Sequence, residues 1–398
     1  TIFNSMPKEE LFLTSASEIG RDIETVLTTY HAEGVRVTLR DDPLRRGVAV
    51  MVILPKERFS AEVRRRISKA LTEEFVGEVL NYHLALSAGD QARLHFYVAG
   101  DPERIASADP TELEVRVREL IRTWTDRVRE GLERVRPGDE ARRLARVYGE
   151  AFAAEYQAAT SPATAVRDIL QLEAMGADER TVSVALNDLT QPPEAAGGEP
   201  VTELKLYLRG ERLILSEFMP ILEDCGLRVV AVSPFEVSGP EVESGMLYSF
   251  ALQDGEGAPL DVTALGSLVG QTVLAVRAGD TSSDRLNALV VRSGLHWREV
   301  DVLRTYTGYA FQAGAVPSRL SIPAALEKYP EIATLLFSWF QTKFDPALGS
   351  GMEERVAAVE EHRERFHDAL ADVELLADDR ALRRVAVLIE ATDRTNYY

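Results

Sequence analysis

Apolar residues in the first hundred positions change their spacing several times, which predicts alternating helices and strands. A spacing of three to four residues is typical of a helix with one buried face, strict alternation is typical of a strand, and an unbroken apolar run is typical of a central strand. The predicted elements are a helix over 15–34, strands over 35–39 and 48–54, a helix over 61–75, and strands over 80–86 and 94–98. This order indicates an α+β module of ferredoxin-like type, with helices on one face of an antiparallel sheet.

The same change of spacing occurs a second time further along the chain. Residues 109–190 show helical spacing, with a break at 136–139, and a segment rich in proline and glycine at 191–198 is interpreted as a linker. The second set of predicted elements comprises strands over 204–208, 227–237 and 246–252 and helices over 216–225 and 262–276. We interpret this β-α-β-β-α order as a second ferredoxin-like unit whose connectivity is shifted relative to the first. Residues 284–398 are again helical, with interruptions at Pro317, Pro323, Pro330 and Pro346.

The sequence therefore predicts four modules, two of them sheets and two of them helical. Residues 1–102 form a leading helix and the first sheet module, and residues 103–200 form a helical region with the linker. Residues 201–280 form the second sheet module, and residues 281–398 form a second helical region.

Composition and charge narrow the possible partners and the compartment. The 398 residues carry 45 Lys and Arg against 64 Asp and Glu, a net charge of −19, and such a field repels nucleic acid. The longest apolar run, over 48–54, is far too short to cross a membrane. A single cysteine, Cys225, and the lack of a signal peptide favour the reducing cytoplasm. The chain begins at Thr1 without a methionine and ends at Tyr398 directly after a strongly patterned segment, so we expect it to be part of a longer protein.

Residues that could carry catalysis or hold a cofactor are scattered. The sequence has no glycine-rich phosphate loop. His362 and His367 are five residues apart and therefore point in different directions around a helix, which is poor for sharing a metal. His83 and His95 fall on neighbouring predicted strands, where a packing role is favoured. Cys225 lies at the end of a helix, where its thiol is not activated. The arginines of residues 111–149 alternate with acidic residues, which indicates a solvated or interface helix face. We therefore expect no catalytic residue, metal or cofactor in this chain.

One loop has the features of a small-ligand site. It connects the first strand and helix of the second sheet module, over 209–216, where free amides at a helix N-terminus can hold a carboxylate. Gly210 would let the backbone approach an effector closely, and Ser216 would either cap the helix or contact the effector. The alternative is an ordinary turn and helix cap.

Several stretches resemble the N-terminal half of the very large bacterial NAD-dependent glutamate dehydrogenases. The resemblance covers most of the chain and is weakest before Ala32. It rests on 54–67, 92–96, 227–230, 234–237, the stretch 294–304 (Gly-Leu-His-Trp-Arg-Glu-Val-Asp-Val-Leu-Arg), 329–333, 343–346 and the closing 394–398 (Arg-Thr-Asn-Tyr-Tyr).

The resemblance implies ACT-like modules at 25–100 and 201–278 and helical-motif regions at 103–197 and 284–398. It also implies that the catalytic domain, which binds NAD, lies beyond Tyr398, so no catalytic residue can be assigned to this chain. The leading hypothesis is a regulatory and oligomerisation segment that binds an amino-acid effector, other copies of itself and the catalytic domain of its own chain. The parent enzyme would convert L-glutamate, NAD and water to 2-oxoglutarate, ammonium and NADH.

Two other hypotheses remain open at this point. The first is a purely structural assembly scaffold with no effector site. The second is a self-contained enzyme, which would need convergent carboxylates. The pairs Asp41-Asp42 and Asp378-Asp379 are more readily interpreted as turn and helix-cap residues.

Overall fold

Two antiparallel sheets of four strands each form the framework, which confirms the predicted α+β class. The computed structural model describes residues 2–3, 6–29, 34–42, 47–86, 90–189, 198–348 and 351–398. The chain divides into two compact units, 1–127 and 128–398. The turn predicted at 41–47 and the linker predicted at 191–198 lie largely outside the described residues.

The first unit contains one sheet and its covering helices. Its elements are α1 (Lys8–Leu13), α2 (Ala16–Thr29), β1 (Arg36–Asp41), β2 (Val48–Pro55), α3 (Ala61–Glu74), β3 (Glu78–Leu86), β4 (Gln91–Ala99), α4 (Pro102–Ser107) and α5 (Pro110–Ile121). The strands lie in the order β1-β2-β4-β3, and every neighbouring pair is antiparallel.

The central strand β2 is buried on both faces, as its unbroken apolar run predicts. On one face, Val50 and Val52 pack with residues of α3 and α5, including Leu71 and Val117. On the other face, Val26 of α2 packs against Met51 and Ile53 of β2, so helices cover both faces of this sheet and the prediction of helices on one face is wrong.

The second unit contains the second sheet and most of the helices. Its elements are α7 (Gly138–Ala151), α8 (Ala154–Ala159), α9 (Pro162–Ala177), β5 (Val182–Asp188), β6 (Thr202–Arg209), α10 (Leu215–Asp224), β7 (Arg228–Gly239), β8 (Val242–Gln253), α11 (Val262–Ala278), α12 (Ala288–Ser293), α13 (Trp297–Gln312), α14 (Ser321–Lys328), α15 (Pro330–Phe344), α16 (Met352–Ala369) and α17 (Leu376–Ala391). Helix α6 (Trp124–Glu133) crosses the boundary between the units.

The second sheet has the strand order β5-β6-β8-β7, which is the same topology as the first sheet. The prediction of a shifted connectivity is therefore wrong. The helical region predicted over 109–190 includes β5, which is a strand. The alternating residues Val182, Val184 and Leu186 of β5 pack on the core. Since β5 pairs with β6, the strands on either side of the segment 191–198 belong to one sheet.

The helical predictions also need two smaller corrections. The helical spacing over 113–132 corresponds to two helices, α5 and α6, and not to one. The break falls at Arg122, the C-cap residue of α5, whose backbone is extended. Pro323 interrupts nothing, because it lies in the first turn of α14, where a missing amide costs no helical hydrogen bond.

The second sheet and the C-terminal helices share one continuous hydrophobic core. Leu206 of β6, Leu222 of α10 and Val273 of α11 belong to the same buried cluster as Leu336 of α15 and Leu382 of α17. The packing of the second sheet is therefore continuous with that of the last helices. Among the described residues, none of the helices has both the length and the apolar content needed to cross a bilayer.

Candidate functional site

The loop predicted to hold an effector connects β6 to α10. Gly210 adopts a φ of +71°, a left-handed conformation that favours glycine over any residue with a side chain. Its amide donates a hydrogen bond to the carbonyl oxygen of Ser244 at 3.1 Å. A Cβ atom on Gly210 would meet Glu243 Oε1 only at 3.8 Å, so the backbone conformation, and not a lack of space, requires glycine here.

Ser216 does not cap helix α10. The N-cap position belongs to Ile214, whose side chain cannot accept a hydrogen bond, and Ser216 lies exposed in the first turn. Among the described residues no side chain caps the first amides of α10. The amide of Glu217 donates to the carbonyl oxygen of Ile214 at 3.1 Å, so the amides of Leu215 and Ser216 are those that could bind an acceptor. The roles of Gly210 and Ser216 in binding an effector stay predictions.

Charged residues tie the loop to the rest of the second unit. The Arg209 guanidinium forms an ion pair with Glu243 of β8 and donates to the carbonyl oxygen of Met175 at 3.3 Å. Glu211 pairs with Arg277 of α11 at 2.8 Å. The loop is therefore linked to α9, β8 and α11 at once.

A cavity of about 320 Å³ lies beside Arg209. Three glutamates contribute to its wall, and each has a basic partner: Glu173 pairs with Arg143 at 3.0 Å, Glu241 pairs with Arg146 at 2.7 Å, and Glu243 pairs with Arg209. The wall thus offers carboxylates and a guanidinium side by side, an arrangement that complements a zwitterion.

The pKa values of two wall residues reflect this environment. The hydrogen bond from Arg146 lowers the pKa of Glu241. Burial, together with the hydrogen bond that the Tyr148 hydroxyl donates to Glu173 at 2.8 Å, raises the pKa of Tyr148. The glutamate therefore stays ionised and the tyrosine stays a hydrogen-bond donor at neutral pH.

A buried polar cluster that sequence reasoning missed lies on the face of the second sheet that α9 covers, which is the face of Arg209 and is opposite to the leucine core. Asp168 of α9 accepts hydrogen bonds from Lys205 Nζ at 2.5 Å, from the Tyr207 hydroxyl at 2.8 Å and from the Tyr156 hydroxyl. Glu203 lies 3.8 Å from Lys205 Nζ and accepts from Ser249 at 2.6 Å. These side chains are buried except for Ser249, which is partly buried. The signal was available, since Glu203, Lys205 and Tyr207 alternate with leucines along β6.

Neither tyrosine of this cluster can act as a base at neutral pH. Burial and the adjacent Asp168 carboxylate raise the pKa of Tyr156 and of Tyr207. Both hydroxyls therefore stay protonated and donate to Asp168, and the cluster fixes α8 and α9 against the sheet.

The other residues singled out in the sequence have structural surroundings. Burial raises the pKa of the Cys225 thiol to about 12, which leaves it unreactive. His83 and His95 pair across β3 and β4, with ring centroids 6.4 Å apart. Asp378 and Asp379 lie in the first turn of α17 and pair with Lys328 and Arg383. Within the described residues, no group of three His, Cys, Asp or Glu side chains could hold a metal ion.

Comparison with known protein families gives matches along most of the chain. Four domain models of glutamate dehydrogenase match in this order: the ACT2 domain over 36–125, helical motif 2 over 132–175, the ACT3 domain over 185–265 and helical motif 3 over 281–346. Together they cover more than half of the chain. The two ACT matches coincide with the two sheets.

Curated relatives are similar over the whole chain. The NAD-specific glutamate dehydrogenase of Halomonas elongata is 30% identical over 397 residues, that of Pseudomonas aeruginosa is 28% identical over 397 residues, and that of Mycobacterium tuberculosis is 28% identical over 417 residues. Each alignment covers 100% of this chain but only 24% or 25% of the relative. The chain thus spans about a quarter of the length of the relatives it matches.

Proposed function

Because the chain belongs to the family of the NAD-specific glutamate dehydrogenases, we propose that it is a non-catalytic regulatory and assembly segment of such an enzyme. The parent enzyme would oxidise L-glutamate with NAD and water to 2-oxoglutarate, ammonium and NADH in the cytoplasm. NAD and the catalytic residues would belong to a domain outside this chain. We also propose that the chain consists of four modules, two with sheets and two helical, and that β5 belongs to the second sheet module.

The observation that carries the proposal is the pair of sheets with one topology, each matched by an ACT-domain model. The described residues around them contain no three-residue metal cluster, and the buried polar cluster around Asp168 is engaged in structural hydrogen bonds. A purified 398-residue chain should therefore not reduce NAD when it is supplied with glutamate. Turnover by this chain alone would contradict the proposal.

The cavity beside Arg209 supports an amino acid as the effector. A free amino acid carries one carboxylate, which suits Arg209, and one ammonium group, which suits Glu173 and Glu241. Its carboxylate would compete with Glu243 for the Arg209 guanidinium. Binding would thus exchange a contact between β6 and β8 for a contact with the ligand.

This exchange suggests how regulation would work. An effector that binds one arrangement of the module more tightly shifts the population toward that arrangement, with a coupling free energy of about 1–3 kcal/mol. The shared core that joins the second sheet to α15 and α17 offers a route for the change toward the C-terminal helices.

The test is calorimetric titration of the 398-residue chain with a panel of amino acids. We expect saturable binding of at least one amino acid, and Arg209→Gln should weaken it by about 10- to 100-fold because a charge-assisted hydrogen bond is lost. Gly210→Val should abolish binding because the loop can no longer adopt its left-handed turn. Arg212→Gln is the matched control, since Arg212 is an exposed arginine of the same loop.

Two outcomes separate this proposal from its alternative. Equal binding by the wild type, Arg209→Gln and Gly210→Val would exclude the loop as the site. No binding of any amino acid would favour the structural scaffold, a candidate supported by the fact that every glutamate of the cavity wall already has an arginine partner.

Assembly is supported by the outer edge of the first sheet. Leu80, Tyr82 and Leu86 of the edge strand β3 are 59%, 48% and 52% exposed. An exposed apolar strand edge can pair with another chain, and a second copy of this chain is the proposed partner.

A further inference from the structure

A second cavity, of about 580 Å³, lies in the C-terminal helical region. Helix α13 forms one wall, the segment after α17 forms another, and Phe340 of α15 contributes to the lining. It shares no lining residue with the cavity beside Arg209. Its volume is in the range of pockets that hold small organic ligands.

Aromatic rings make up much of the lining. Phe340 contacts Tyr306 and Tyr397 edge-on, with ring centroids 6.1 and 5.7 Å apart. The Tyr306 hydroxyl is hydrogen-bonded to Thr392 Oγ1 at 2.9 Å, which joins α13 to the last segment. Tyr309 lines the same cavity one turn further along α13, and 58% of its surface is exposed. The rings of Tyr306 and Tyr397 both pack against Phe340, whereas the ring of Tyr309 is accessible.

Two arginines give this cavity a positive charge. Arg298 of α13 and Arg394 after α17 both line it, and neither forms an ion pair within the part of the chain that the structure describes. Asp301 is the acidic residue of the lining, and it already binds Arg304 and the Thr281 hydroxyl. Two uncompensated guanidinium groups in a chain of net charge −19 indicate an anionic ligand.

These residues come from two distant stretches of sequence. Arg298 belongs to 294–304 and Arg394 and Tyr397 belong to 394–398, two of the stretches through which the chain resembles its family. In the first stretch Leu303 is buried and Trp297 is partly buried, whereas both arginines are exposed. Arg298 lies over the Trp297 ring, with its Cζ 5.1 Å from the ring centroid, and its exposed guanidinium remains accessible to a ligand.

We infer that this cavity binds a nucleoside monophosphate. The phosphate would lie between Arg298 and Arg394, because the planar guanidinium fork matches phosphate oxygens. The base would stack on Tyr309, the accessible ring of the lining. A short amino acid would leave that ring unused, and inorganic phosphate would leave most of the volume empty. This site is separate from the proposed effector site.

The first test is calorimetric titration of the 398-residue chain, tagged at its N-terminus, with AMP. We expect saturable binding of one AMP per chain. Ribose 5-phosphate, which lacks the base, and adenosine, which lacks the phosphate, should each bind at least about 10-fold more weakly. No binding of AMP would overturn the inference, and so would equal affinity for AMP and inorganic phosphate, which would indicate a simple anion patch.

Variants then locate the site. Arg298→Gln and Arg394→Gln should each weaken AMP binding at least about 10-fold, since each removes a charge-assisted hydrogen bond. Tyr309→Ala should weaken it at least about 5-fold, whereas Tyr309→Phe, which keeps the ring, should bind like the wild type. Arg384→Gln, at an exposed arginine of α17, is the control.

An unfolding temperature equal to that of the wild type would show that the fold of each variant is intact. Full AMP binding by both cavity arginine variants would place the nucleotide elsewhere and overturn the inference. Amino-acid binding should be unaffected by Arg298→Gln and Arg394→Gln, so failure here and failure of the proposed effector site are distinguishable.

Discussion

Val76 ends helix α3 in a conformation that branched residues avoid. Its φ is +45°, and the next residue, Gly77, donates its amide to the carbonyl oxygen of Thr72 at 3.0 Å. This pattern is the Schellman motif, in which glycine usually occupies the position of Val76. Gly77 itself cannot be replaced, because a Cβ atom there would lie 1.9 Å from the carbonyl oxygen of Ala99.

We predict that Val76→Gly stabilises the protein. Relief of the left-handed strain, about 1–2 kcal/mol, exceeds the entropy that glycine adds to the unfolded chain, about 0.5–1 kcal/mol. Because Val76 is 65% exposed, little buried surface is lost. Denaturant unfolding should show a gain of roughly 0.5–1 kcal/mol. The same substitution at Val115, an exposed valine inside α5, should instead cost about 0.3–0.5 kcal/mol, because glycine is a poorer helix former than valine. A loss of stability in both variants would contradict the strain argument.

Residue-level features of the candidate loop were predictable only in part. Gly210 stands between a strand pattern and a helix pattern, and its left-handed turn follows from that position. The capping role that was one option for Ser216 was wrong, because the helix begins one residue earlier and Ile214 takes the cap position. The pairing of Arg209 with Glu243 joins residues far apart in the sequence, so local patterns could not indicate it.

At the scale of elements, the polar face of β6 depends on the helix that covers it. The alternation of leucines along 204–208 predicts a strand but does not show that this strand, β6, is buried on both faces. Its second face is polar because Asp168 of α9 lies against it and accepts from Lys205 and Tyr207. Strand spacing identifies the element, whereas the partner of its polar face becomes known only when α9 is placed.

We predict that this cluster holds α9 on the sheet through paired charges. Lys205→Met should destabilise the second unit by about 3–5 kcal/mol, because it leaves the Asp168 carboxylate buried without its cation. Adding Asp168→Asn to that variant should recover part of the loss, since it removes one of the two carboxylates left without a cation, the other being Glu203.

Denaturant unfolding of the two single variants and the double variant measures this coupling. Asp178→Asn is the control, because the ion pair of Asp178 with Arg180 is exposed and should contribute under about 1 kcal/mol. Additive losses in the Lys205→Met and Asp168→Asn cycle would contradict a coupled buried pair.

At the scale of the whole molecule, the two sheets share a topology, but their equivalent edge strands differ in how far other residues of the chain cover them. In the second sheet, the edge strand β7 is covered: Phe152 forms a bridge with Val237, and Tyr156 contacts Phe235 edge-on at 5.3 Å. The equivalent strand of the first sheet, β3, exposes Leu80, Tyr82 and Leu86. A chain that covers one of two equivalent edges with its own residues leaves the other available to a second copy.

We therefore predict that the chain self-associates through β3. The double variant Leu80→Lys/Leu86→Lys should weaken association at least about 10-fold, because it places unpaired charges in the pairing edge. Sedimentation velocity over a range of concentrations measures the mass of each species. The matched control is Leu320→Lys/Leu376→Lys, two leucines that are 62% and 63% exposed in the helical region. An equal loss of mass in both double variants would indicate a general effect of charge, and an unchanged mass in the β3 variant would assign assembly to another surface.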